Sequence, residues 1–266
     1  MNLFNFSAQS NISLNRNPAH NFAINHSMMI YGSDALYSFI PKNACSTMRL
    51  SVAIANGCID GIEDGHWIHG NNQTFVPSTA EALKAKFSFA ILRCPFRRLA
   101  SVYLDKFVSK EPEAWQFRNA INRNLNLDNL TFKDFVMSLD KPWKVNMDIH
   151  WKPQLSFLLF KDYSEYFSLE DFATCVTTLR ERINFSVIDA RSLTNHGTNE
   201  FELLYEDNFA DTPAFDIAVM KREGRCPSHF SLYTEEVFSY VSQIYSEDLA
   251  FYSHVFGKEN LLDSKI

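Results

Sequence analysis

The chain has 266 residues, 46% hydrophobic and 21% charged, which excludes a disordered or low-complexity polymer and is long enough for a sizeable core. Twenty-five basic against 31 acidic residues give a formal charge of −6, which excludes a nucleic-acid binder acting through bulk charge. With 24 Phe but only 8 Gly and 9 Pro, aromatic-rich packing without a long flexible linker is expected.

Residues 1–30 are polar and rich in Asn and Ser, and predict an extended or poorly ordered segment ahead of a single domain over 31–266. The apolar run 35–40, ended by Pro41, predicts a buried strand. Helical spacing over 48–55 stops at Asn56-Gly57. Ser78 or Thr79 with Glu81 can cap a short helix running to 86, and 87–92 is the second clear strand. Pro95 suits a first helical position, and Phe96, Leu99, Tyr103 and Phe107 then share one face. Short helical patterns over 112–150 read as an insertion. Strands at 156–160, 163–167 and 185–189, a helix at 169–182 and a closing amphipathic helix at 234–256 complete the pattern. In that last helix Val237, Val241, Ile244 and Leu249 face inward. Strands alternating with helices predict an α/β fold around a parallel sheet.

Charge is unevenly placed. Between Lys84 and Lys110 seven basic residues stand against Asp105 alone. A local basic site on an acidic protein points to a small anionic ligand, although a solvated basic helix face has the same composition. Two segments sharpen the choice. Pro41-Lys42-Asn43-Ala44-Cys45-Ser46-Thr47 lies between a predicted strand and a predicted helix, where main-chain N–H groups and the helix dipole favour an anion. It lacks the glycines of a Walker loop and, alone, is equally an ordinary turn. In Arg93-Cys94-Pro95-Phe96-Arg97-Arg98-Leu99-Ala100-Ser101, Arg93 leaves a strand and Ser101 lies about two turns into a helix, so both can meet one anion. Each segment follows a strand and opens a helix, which puts both on one edge of one sheet. Two anion sites there suit a ligand with phosphates at two ends.

These segments resemble the donor-binding loops of sulfotransferases that use 3′-phosphoadenosine 5′-phosphosulfate (PAPS). Residues 41–47 resemble their 5′-phosphosulfate loop. Residues 93–103 are similar to their 3′-phosphate motif, R-x-P-x-x-R-L-x-S-x-Y. His150-Trp151-Lys152-Pro153-Gln154 resembles the H-W-x-P-Q segment of the carbohydrate (chondroitin and dermatan) branch. Ile244 to Tyr252 resembles its Y-x-x-D-x-x-x-F/Y helix, and 163–171 a segment ending in Glu, here Glu170. The likeness runs from about 36 to 256. Cys94 stands where the family has a polar residue, and Leu158, Leu159 and Phe160 replace its paired cysteines.

The resemblance implies a P-loop-like central parallel sheet flanked by helices, with helical insertions. It implies sulfuryl transfer from PAPS to a hydroxyl of a carbohydrate or glycan acceptor, without a metal. Pro41, Lys42, Asn43, Ala44, Cys45, Ser46 and Thr47 would bind the 5′ end, with Lys42 also catalytic, and Arg93 and Ser101 the 3′-phosphate. The acceptor needs a base, and His suits neutral pH. His69 is the first candidate, then His66, with His150 third; Glu63 and Asp64 are acidic runners-up, and a structural histidine is the bland alternative. Lys221, Arg222 and Arg225 form either a basic lid or a solvated loop. Trp67, Trp115, Trp143 and Trp151 can stack on sugars, though core packing explains each better. A catalytically inactive relative that binds nucleotide or glycan, or a nucleotide-dependent kinase on a similar fold, remains an alternative. Five scattered cysteines without CxxC or zinc spacing, and no apolar run near the ~18 residues of a membrane span, fit a cytoplasmic protein with no nucleic-acid partner and no membrane span.

Overall fold

The first helix arises inside the segment whose polar composition predicts extended chain. Asn17 supplies the reason: its side-chain oxygen accepts the N–H groups of Ala19 and His20, and Pro18 fits the first helical position. The result is α1 (Pro18–Asn25), followed at once by β1 (Ser27–Ile30), all four residues of which are buried. The computed structural model describes residues 3–8, 11–71, 73–190 and 200–262; positions 1–2 and 9–10 of the polar segment lie outside these.

In chain order there follow β2 (Ala35–Ser38), α2 (Cys45–Ala55), α3 (Trp67–Gly70), α4 (Thr79–Lys84), β3 (Phe87–Leu92), α5 (Pro95–Val102), α6 (Pro112–Ile121), α7 (Phe132–Met137), α8 (Pro142–Asn146), β4 (Glu165–Ser168), α9 (Phe172–Ile183), β5 (Glu202–Leu204), α10 (Ala214–Arg222), β6 (Arg225–Pro227), α11 (Glu235–Ile244) and α12 (Ser246–Phe256). The cap on α4 is a full capping box, in which Ser78 and Glu81 each accept the other's main-chain N–H. Three stretches differ from expectation. Residues 154–157 form a 3-10 turn, and Phe160 keeps only an isolated bridge to Phe4. Residues 185–189 make no strand ladder, because the Ile188 N–H is given to the Ser51 hydroxyl on α2. The closing amphipathic stretch is two helices that meet at Tyr245, with Val237 and Val241 buried but Ile244 and Leu249 only partly so.

Two compact units share the chain: Met1–Arg93 with Gln154–Asn195, and Cys94–Pro153 with His196–Ile266. The first carries a sheet in the order β1-β2-β3-β4, with β2, β3 and β4 parallel and β1 antiparallel at the edge. All six residues of β3 are buried, as expected of a parallel strand covered on both faces. Tyr37, Phe89 and Phe167 carry an aromatic row across three strands, at ring separations of 5.0 and 6.0 Å. Met48, Leu50, Val52 and Ala53 of α2 join the same core. Parallel β2 and β3 need a crossover, and α2 to α4 supply it. The architecture is α/β: a central, mostly parallel sheet flanked by helices.

The second unit packs aromatics instead of strands. Phe96, Leu99, Tyr103 and Phe107 are all buried, as their spacing predicts. Helix α5 runs on into a π-helical turn over Tyr103–Phe107. Phe107 meets Phe135 at 4.3 Å, Phe117 at 5.1 Å and Trp151 at 5.9 Å. The short parallel pair β5–β6 belongs to this unit as well.

Candidate functional site

The loop from β2 to α2 is shaped by its main chain. Lys42 and Ala44 both take left-handed conformations, with φ of 72° and 57°. Ala44 is the N-cap of α2, and no side chain caps that end. The N–H groups of a first helical turn have no partner within the helix, and successive turned peptides gather such groups into an anion-binding concavity. Lys42, Cys45 and Ser46 are half-buried here, while Pro41, Asn43 and Thr47 are buried. The Thr47 hydroxyl accepts the Ala190 N–H at 3.4 Å, so part of its capacity serves the fold.

Arg93 stands directly after β3. Since β2 and β3 are parallel neighbours, the two loops leave the same edge of the sheet. They also touch: Arg93 Nη1 donates to the Lys42 carbonyl at 3.0 Å. Gln154 adds a second connection. Its Oε1 accepts the Arg93 N–H at 3.0 Å and an N–H of Asn43 Nδ2 at 2.6 Å, and its Nε2 donates to the Arg93 carbonyl at 2.9 Å. Asn43 Nδ2 donates to the Ile91 carbonyl too. The H-W-x-P-Q likeness marked this segment, but nothing in the sequence assigned Gln154 a task.

The remaining parts of the 93–101 motif belong to the second unit. Ser101 is half-buried near the end of α5. Cys94 is fully buried, and its sulfur accepts the Leu262 N–H at 3.2 Å. Arg98 is buried and donates to the carbonyls of Lys152 and Ile149. The Tyr245 hydroxyl donates to the Trp151 carbonyl at 2.6 Å, which ties the Y-x-x-D helix to the H-W-x-P-Q segment. His150 is half-buried with Nδ1 2.7 Å from Asp148 Oδ1, so its Nδ1–H donates to that carboxylate. Lys106 lies 3.5 Å from Asp105 and 3.3 Å from Glu113. Burial pushes the Asp148 carboxyl up, but hydrogen bonds from the His150 ring and main chain, with nearby positive charge, outweigh this and hold it below its usual value.

His66 immediately precedes the short α3 of the first unit and His69 lies on it, and both are exposed. Arg49 of α2 donates to the Ile68 carbonyl at 2.8 Å, which fixes α3 against the helix that opens at the Lys42 loop. Glu63 and Asp64 are exposed beside them. Trp151 is core; Trp115 and Trp143 are exposed, and Trp67 packs partly against the sheet-side core. Lys221 and Arg222 line a shallow cavity with Phe215 and Lys110, and Arg225 pairs with Glu223. Among the described residues, no helix is long and apolar enough to cross a membrane.

A family model described as "Sulfotransferase family" matches residues 26–254. The chain belongs to the sulfotransferase family. No curated protein and no solved structure gives a significant match. The family match spans both loops of this sulfotransferase, the three histidines, Gln154 and most of α12.

Proposed function

We propose that this sulfotransferase moves a sulfuryl group from PAPS to a hydroxyl of a carbohydrate acceptor. The observation that carries the reading is the juxtaposition of the Lys42 loop and Arg93 on neighbouring parallel strands. The residues fit such a donor: left-handed main chain and an uncapped helix start at one loop, and a guanidinium fork at the other. The donor, when bound, supplies an activated sulfuryl group on a nucleotide that carries phosphate at both ends.

The chain's own groups then divide the work. Lys42 and the first N–H groups of α2 offset negative charge at the 5′ end, which is worth most where charge grows during transfer. Arg93 and Ser101 hold the 3′-phosphate and fix the register. His69, or His66 or His150 in its place, takes the proton of the acceptor hydroxyl from a position about 2.6–3.2 Å away. The deciding experiment is incubation with radiolabelled PAPS and a panel of glycans, with and without a chelator. Label on a glycan in both conditions is expected. Phosphate transfer from ATP with a Mg²⁺ requirement, or no binding of the product nucleotide, would overturn the proposal.

A further inference from the structure

We infer that Gln154 is a positioning residue that locks the two donor loops into one register, so that the ligands for the two ends of the nucleotide are presented together. The inference rests on the donor reading above.

The side chain is 2% exposed and Asn43 is fully buried. Gln154 pairs with the Arg93 peptide through both N–H and C=O, as a neighbouring strand would, at the point where β3 ends. The same Oε1 accepts from Asn43, whose Nδ2 also reaches the Ile91 carbonyl. A buried amide pair thus spans the gap between the end of β3 and the turn at Lys42. Arg93 closes the loop of bonds through its Nη1 to the Lys42 carbonyl. One buried acceptor, Asn43 Oδ1, is left without a hydrogen bond. An apolar pair would take these partners from the Arg93 peptide and the Ile91 carbonyl, so the amides serve the end of the strand as well as the two loops. What the amides add is direction: each hydrogen bond fixes an angle as well as a distance, and the two loops cannot shift separately without breaking several bonds. Register matters because a nucleotide with two phosphates gains from both loops only if their spacing is held.

The test compares two nucleotides by calorimetry, 3′-phosphoadenosine 5′-phosphate and adenosine 5′-phosphate. Wild-type protein is expected to prefer the bisphosphate by about tenfold or more. Gln154→Leu keeps the volume and removes all three hydrogen bonds; its preference should fall toward unity while the monophosphate still binds. A merely structural glutamine would lower the melting temperature and leave the ratio intact, so a folded Gln154→Leu with the wild-type preference overturns the inference. Where Gln154→Leu does not fold, Asn43→Ala decides: it keeps both Gln154 bonds to Arg93 and cuts the bridge to the Lys42 loop, and an unchanged ratio is again fatal. Equal affinity of wild-type protein for the two nucleotides removes the donor reading itself, and the inference with it.

Discussion

Arg98 holds the main chain of Lys152: Nη1 donates to its carbonyl at 2.8 Å, while Nη2 does the same for Ile149 at 3.1 Å. A cation that composition assigns to an anion-binding cluster is therefore a buried clamp on a loop of its own unit. Arg98→Ala should destabilise the protein by about 3 kcal/mol, since two carbonyls lose charge-assisted bonds. Arg98→Lys should recover only part, because one ammonium does not reproduce the planar fork. Urea denaturation measures both; a loss under about 1 kcal/mol for the alanine variant would mean that water satisfies the loop just as well.

Lys42→Ala should lower turnover by about 10²-fold or more while weakening product-nucleotide binding far less, because charge at the 5′ end develops during transfer. Single-turnover rates beside calorimetric affinities separate the two. Intact turnover would reduce the segment 41–47 to a structural turn.

Proton removal from the acceptor is the third point. His69→Ala is expected to cost about 10²–10⁴ in turnover with donor affinity unchanged. The His66 and His69 side chains are both exposed, where a substrate can reach them. Full activity in the double variant lacking His66 and His69 would pass the role to His150, whose Nδ1 is already oriented by Asp148.

Acid sensitivity follows from Asp148. Its carboxyl titrates below the usual 3.8 when folded, so the unfolded state binds protons more readily in this range. The stabilisation is fully present above the unfolded value and is lost as pH falls through the folded one. Stability measured from about pH 6 down to about pH 2.5 should fall more steeply for wild-type protein than for Asp148→Asn. Parallel curves would show that the His150 contact has no net effect on folding.

Ala44 tests the loop's backbone. At φ 57° a β-branched side chain is strained, so Ala44→Val should destabilise by about 1–2 kcal/mol, whereas Ala44→Gly should be neutral or slightly stabilising. Thermal melts of the two variants measure the difference. Equal stability would show that the turn relaxes freely.

Much of this was legible in the sequence. The strand 87–92, the helix opened by Pro95 and the Ser78–Glu81 box depend on neighbours in the chain, and local patterns report local causes. The left-handed turns at Lys42 and Ala44 were not legible, because no glycine marks them. Helix α1 was hidden by composition: its cap and proline were present, but its polar residues resemble those of a loop. The break at Tyr245 was missed because the apolar period continues through it. Gln154 was beyond reach for a different reason, since its partners lie 61 and 111 residues away and one of them is main chain.

That preference for main-chain partners has an evolutionary consequence. Arg98 grips the carbonyls of Ile149 and Lys152, Tyr245 that of Trp151, Arg93 that of Lys42, and Gln154 both peptide groups of Arg93. Every residue retains a carbonyl whatever its side chain. The gripping positions are thus constrained, whereas Ile149 and Lys152 are free to drift as far as these bonds are concerned. Relatives would keep the donors and vary at the recipients, so that descent could remain written in the bond pattern after pairwise identity had faded.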